Sequence, residues 1–288
     1  MIRHLPALVV RQNGTLRTLA PLACAMCVAL AFGAACVTTP APLPPAVDDA
    51  GARARLVADA ARRHRFEGVV KASLPGIEGA VVNATLDVAA QAPSQLSVAV
   101  RSFFEVPQQI LVASDGTVTL YDATSGSARF ARGPATDQSL KNVLGLPLGP
   151  DDAIALLLGR APLEPARPGW PAPRVRVVDV DAETFTVAIE RAGRGAVHWQ
   201  VRHGDGVVVA ATFFTGDGRR VLDAKVTDRS AGDDGVAFPR RIVVTLLADS
   251  GRSGEVVLTV QDGRSNGPPV PPEAFVLEPP PGIPLGAL

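Results

Sequence analysis

DQSLKNVLGLPLGPDDAIALLLGRAP, residues 137–162, is the stretch on which the fold turns. Thr136 or Asp137 can cap a short first helix, and Gly145 supplies a left-handed stop after Leu144. Pro150 then sits where a first helical turn tolerates it. Asp151 and Asp152 face that turn's positive end, and Gly159 closes a second helix. Between and along the two helices lie Leu144, Leu146, Leu148, Ile154, Leu156, Leu157 and Leu158. That pattern is apolar nearly all round, and a helix with no wet face is normally buried. Period-two sequence lies on both sides, so the helices are expected against or inside a curved sheet.

Upstream, the period of two starts at Phe66. Val82, Ala84, Leu86 and Val88 share one side, as do Leu96, Val98 and Val100. After the Ser114-Asp115-Gly116 turn, Val118 and Leu120 oppose Thr117, Thr119 and Tyr121. Downstream, the shared faces are Phe185, Val187, Ile189; Val197, Trp199, Val201; Val207, Val209, Ala211, Phe213; Ile242, Val244, Leu246; and Val256, Leu258, Val260. Gly-Asp-Gly at 204–206 and 216–218, with Asp249-Ser250-Gly251, punctuates hairpins. This is the mark of antiparallel strands with one dry face. The reading is a mainly β fold of about ten or eleven strands curled round a helical insert. Val98, Val100, Leu120, Trp199 and Phe213 are the expected cavity wall, with Leu144, Leu146, Leu148, Ile154, Leu157 and Leu158 as its lid. Aromatics make up only 5% of the chain, a lining that leaves room for a greasy guest. Neither half alone can close a sheet, so residues 50–282 are read as one domain, the Pro-rich 161–173 stretch linking its halves. Phe275 and Leu277 are expected to dock on the sheet. Pro279-Pro280-Pro281 should then end regular structure, leaving 283–288 as a tail.

The start of the chain has a different character. Arg3, Arg11 and Arg17 precede an apolar run, Leu19–Ala35, with no acidic residue before it, which reads as a secretory signal over residues 1–35. The run ends Gly33-Ala34-Ala35-Cys36, similar to a bacterial lipobox apart from Gly33 where that pattern usually has Leu. The resemblance implies lipid attachment at Cys36, through diacylglycerol and palmitate. Cys24 and Cys27 form C-x-x-C inside the segment expected to be cut away, and no cysteine follows Cys36. Residues 36–49 are a Pro-rich tether. Asp48 or Asp49 caps a helix over about 50–65, with Leu56, Val57, Ala60 and Ala61 as its apolar side. Arg53, Arg55, Arg62, Arg63 and Arg65 either touch anionic lipid or form a solvated face.

Composition and motifs exclude several classes of function. Removing residues 1–35 leaves 25 basic against 28 acidic residues, not a nucleic-acid-binding balance. No Gly-rich phosphate loop and no Gly-x-Ser-x-Gly is present. His64, His198 and His203 lack metal-ligand spacing to a partner on the same face, so neither an enzyme nor a cofactor or metal site is expected.

The order of parts resembles a known set. A lipobox and an N-terminal helix lead to a hairpin beginning Phe66-Glu67-Gly68, then Val118–Asp122 (VTLYD) and a Leu-rich pair ending Leu157-Leu158-Gly159. His198-Trp199-Gln200-Val201, Phe238-Pro239 and FVLEPPPG at Phe275–Gly282 complete it. This looks like the LolA/LolB superfamily of periplasmic lipoprotein carriers and outer-membrane lipoprotein receptors. The likeness covers nearly all of residues 50–282 and rests on strand phases rather than a signature. It implies a half-open antiparallel barrel with the helices as a lid over a hydrophobic cavity. It also implies an exposed delivery loop, matched here by Ser102–Pro107 with Phe103 and Phe104. Two adjacent Phe side chains cannot both enter one sheet face. Either one is exposed for membrane transfer, or one caps the barrel mouth while the other covers a strand edge. Val37 after the cysteine agrees with the superfamily's rule for outer-membrane export. The implied partners are the membrane, an acyl chain or lipoprotein as ligand, and a periplasmic carrier. The other reading is an accessory envelope lipoprotein acting through protein contacts.

Overall fold

The computed structural model describes residues 46–75, 81–101, 106–124, 127–136, 139–141, 145–164, 171–190, 195–232, 234–247 and 254–288. All belong to the unit Leu43–Leu288. The expected signal segment, Cys36, Phe103, Phe104, Leu144 and the 249–251 turn lie outside the described residues.

Among the described residues, the period-two stretches and further strands join into one sheet of fourteen. The first half contains β1 (Arg65–Pro75), β2 (Val81–Gln91), β3 (Gln95–Arg101), β4 (Pro107–Ser114), β5 (Thr117–Asp122) and β6 (Arg129–Pro134). The second contains β7 (Arg174–Val180), β8 (Thr184–Glu190), β9 (Ala196–Arg202), β10 (Val208–Phe214), β11 (Arg220–Ala231), β12 (Ala237–Leu246) and β13 (Gly254–Ser265), and β14 (Leu285–Ala287) follows near the end. Each half is a meander, and the halves meet where β1 pairs with β13. The sheet does not close, because β14 and β7 stand at its two ends. A mainly β, half-open barrel with a helical lid is therefore the architecture, as the resemblance implied.

Local chemistry explains the elements. Asp115 (φ 51°) and Gly116 (φ 76°) are both left-handed, the conformation a two-residue hairpin loop between right-twisted strands requires. Helix α1 (Asp49–Arg62) starts where the Asp48 carboxylate accepts the Gly51 N–H at 2.7 Å. Its buried stripe is Ala52, Leu56 and Ala60, one residue per turn. Val57 and Ala61, expected on that side, are exposed, and Asp59 is buried instead.

All five arginines of this region also contact protein groups; Arg53, Arg55 and Arg62 remain exposed, as on a solvated face, whereas Arg63 is buried. Arg53 donates to Pro173 O (3.1 Å) and Arg65 to Gly267 O (3.0 Å). Arg62 donates to Asp59 and to Asp205 O, and Arg63 to Ala237 O and Asp205 O. Arg55 meets the His203 ring at 3.5 Å and stands over Phe185.

The two ends of the sheet are short or interrupted, one way in which edges that would otherwise recruit other chains are blunted. At β7 the Asp49 carboxylate of α1 accepts the Val177 N–H at 2.7 Å, beside the bulge at Val177/Asp179. At the other edge β14 pairs in parallel with β6. This short strand corrects the expectation that regular structure ends at Pro281. Phe275 and Val270 do dock as a small second cluster, on Val112 of β4.

Candidate functional site

Helix α2 (Pro150–Leu158) forms the roof over the sheet's inner face, packed on β1, β2, β3 and β12. Pro150 occupies its first turn, and Gly159 ends it in the left-handed conformation (φ 64°). The Gly159 N–H reaches Leu156 O and the Arg160 N–H reaches Ala155 O, the paired bonds of a Schellman stop. A Cβ on Gly159 would stand 2.9 Å from Pro239 Cδ, so the position needs glycine for space as well as backbone. Ile154, Ala155, Leu156, Leu157 and Leu158 are all buried. Ahead of α2, most of the expected first helix lies outside the described residues. The Gly145 N–H bonds Lys141 O, and Gly145 is left-handed (φ 68°).

Beneath this roof lies a void of about 40 Å³. Its floor is Val70, Leu86, Val88, Leu96, Val98, Ile242, Val244 and Leu258, and its ceiling is Leu140, Leu146, Leu148, Ala153, Leu156 and Leu157. Every lining residue is apolar. A void that size holds about one water by volume, against roughly 300–1,000 Å³ for ordinary ligand sites.

The residues expected to form wall and lid distribute as follows. Val98, Leu146, Leu148 and Leu157 border the void. Val100 is half-buried against the core, while Ile154 and Leu158 are buried without bordering the void. Trp199 and Phe213 pack edge to face on each other, 5.8 Å between centroids, and not on the void. Leu120 lines a different groove, of about 600 Å³, between β5, β6 and the final residues. Most of the floor residues show the inward strand phase in sequence. The juxtaposition came from the β1–β13 pairing, which no local pattern announces.

Charge is kept to the rims. Arg160, 4% exposed, donates from Nη1 to Ala60 O (3.1 Å) and Arg63 O (3.4 Å), capping the carbonyl end of α1, and pairs with Glu164. Beside it, burial raises the Asp59 pKa and lowers that of Arg63, 3.6 Å away. At the end of β5, burial pushes Asp122 upward. Hydrogen bonds from Thr124 and Arg129 outweigh this and hold it below the usual aspartate value. His198 lies off the inner face, its ring tilted against that of Phe214, and its pKa is lowered by burial and by Arg176. Among the described residues no His/Cys/Asp/Glu cluster has the form of a metal site.

No protein-family description and no curated protein matches the chain in sequence. Solved structures do match. A LolA superfamily protein of Nitrosomonas europaea aligns with TM-score 0.55 at 18% identity, over 81% of this chain and 99% of its own. A domain attributed to outer-membrane lipoprotein sorting in Vibrio parahaemolyticus gives 0.55 at 7%, over 77% and 94%. A DUF1329 family protein of Desulfovibrio piger gives 0.53 at 12%, over 80% and 98%. At these identities the likeness is one of fold, and the fold is LolA/LolB-like.

Proposed function

We propose, on the premise of a LolA/LolB-like fold, that this chain is an envelope lipoprotein anchored through Cys36 to the outer membrane and facing the periplasm. Its half-barrel receives the acyl chain of a lipoprotein or lipid and helps deliver it to that membrane. The observation supporting this reading is the wholly apolar space between floor and roof, the roof helix ending at the left-handed Gly159. The 40 Å³ present admits no acyl chain, so binding requires the roof to lift. Burying a dozen methylenes gains about 10 kcal/mol at ~0.8 kcal/mol each. Uncovering Leu146, Leu148, Leu156 and Leu157 costs roughly 6–12 kcal/mol at ~1.5–3 kcal/mol apiece. The two are close to balance, which suits a carrier that must also release its guest. Delivery falls to Phe103 and Phe104, and the ligand arrives from a periplasmic carrier.

The small void also favours a second reading, an accessory lipoprotein with a filled barrel that acts through its outer face on another envelope protein. Native mass spectrometry of the protein purified from membranes separates the two. Acyl-containing adducts, reduced when Val98→Trp fills the void, support the carrier. Repeated absence of adducts supports the accessory role.

A further inference from the structure

The edge of β6 and the groove beside it are occupied by a strand that fits them poorly. β14 contributes three residues, all exposed, and follows the irregular Pro279-Pro280-Pro281 stretch and Pro284. It pairs in parallel with β6, in a sheet otherwise antiparallel, and parallel pairing is slightly the weaker per residue. Leu285 and Leu288 remain 57% and 47% exposed. The strand leaves about 600 Å³ open against Leu120, Ala128 and Ala131, with the Asp122–Arg129 ion pair at one end.

The register identifies what is missing. Gly286 pairs with Ala131, which pairs in turn with Leu120, so position 286 faces the groove. A Cβ there would meet only Phe130 O, at an ordinary 3.5 Å. The side chain that would fill the groove is absent from the strand that occupies the site.

We infer that the β6 edge and this groove form an acceptor site for an extended peptide of a partner protein, one with a large apolar side chain where this chain has Gly286. The chain's own residues 283–288 are a resident placeholder. They hold the site through high effective concentration, roughly millimolar for a short linker, and not through fit. A second copy would bring the same glycine and gain nothing, which favours a different sequence as occupant. Main-chain bonds to β6 would supply affinity, and the groove would supply selectivity.

The test uses the full chain and two dye-labelled hexapeptides with the sequence of residues 283–288, one unchanged and one carrying Gly286→Leu. Fluorescence anisotropy should show the Gly286→Leu peptide binding about tenfold or more tightly, the gain expected from one buried leucine. Leu285→Asp in the chain loosens the resident strand and should raise affinity for both peptides. Ala131→Trp, filling the groove from the edge strand, should abolish the difference between them. If that variant misfolds, Gly133→Val replaces it. Its Cβ would stand 2.9 Å from Leu288 Cβ, so it should weaken both peptides. The inference is overturned if neither peptide binds a normally melting Leu285→Asp chain, or if the two bind alike. Concentration-dependent dimers that ignore both peptides would also overturn it, in favour of strand exchange between copies.

Discussion

The far end of the sheet interior and its middle are filled by different means. In β8, β9 and β10 the sheet fills itself, with Phe185, Trp199 and Phe213 rooted in the strands. On β1, β2, β3, β12 and β13 the residues that border the void are aliphatic, the Phe66–Phe238 pair lying away from it, and leucines of the roof, outside the strands, complete the packing. Aromatic rings held by the sheet can leave only if the sheet comes apart. Leucines of α2 and of the segment before it are rooted outside the strands. On the proposed function, that part of the core is the one that makes way for a guest.

The sharpest way to break this distinction is Trp199→Ala. It should cost about 3–5 kcal/mol in urea denaturation, because the sheet around it cannot collapse into the gap. Acyl adducts should not change. Leu148→Ala should cost about 2–5 kcal/mol and enlarge the void, so adducts should increase in native mass spectra. Equal behaviour of the two variants would erase the comparison.

A smaller effect sharpens it at the rim. Asp122→Asn removes charge-assisted bonds worth about 1.5–3 kcal/mol. Asp122's folded pKa lies below the ordinary value, so its contribution is complete above the unfolded value near pH 4. It should disappear as pH falls through the folded value, making wild type and variant converge in acid melts. The smallest stability effect belongs to Phe104→Glu, in the proposed delivery loop. Denaturation should move by less than about 0.5 kcal/mol, whereas transfer to liposomes should weaken if that loop delivers the guest.

How far the fold could be read in sequence depended on the element. In β9 and over Ile242–Leu246 of β12 the inward residues are apolar and alternate with more exposed ones, and Phe185, Val187 and Ile189 mark the same phase in β8, so these faces are legible. In β10 a bulge between Val208 and Ala210 shifts the phase, and Val208 is buried in place of the expected Val209. β11 escaped notice because Arg220, Lys225, Asp228 and Arg229 dilute its apolar residues. β7 and β14 escaped because they sit at edges, where little is buried. On α1, the burial of Asp59 has no mark in sequence: its partner Arg63 is a local i,i+4 neighbour, but the close backbone of Gly206 comes only from folding. The roof was legible for the opposite reason. An apolar helix between glycine stops has no other place to go. The size of the space beneath it was not, since the last few side chains decide whether a floor and ceiling meet.

Arg160 gives the roof an unexpected attachment. The residue immediately after the roof's closing glycine grips the last carbonyls of the chain's leading helix, 97–100 positions earlier in sequence. Roof and leading helix are therefore joined directly by one guanidinium, in addition to the bonds that tie each of them to the sheet.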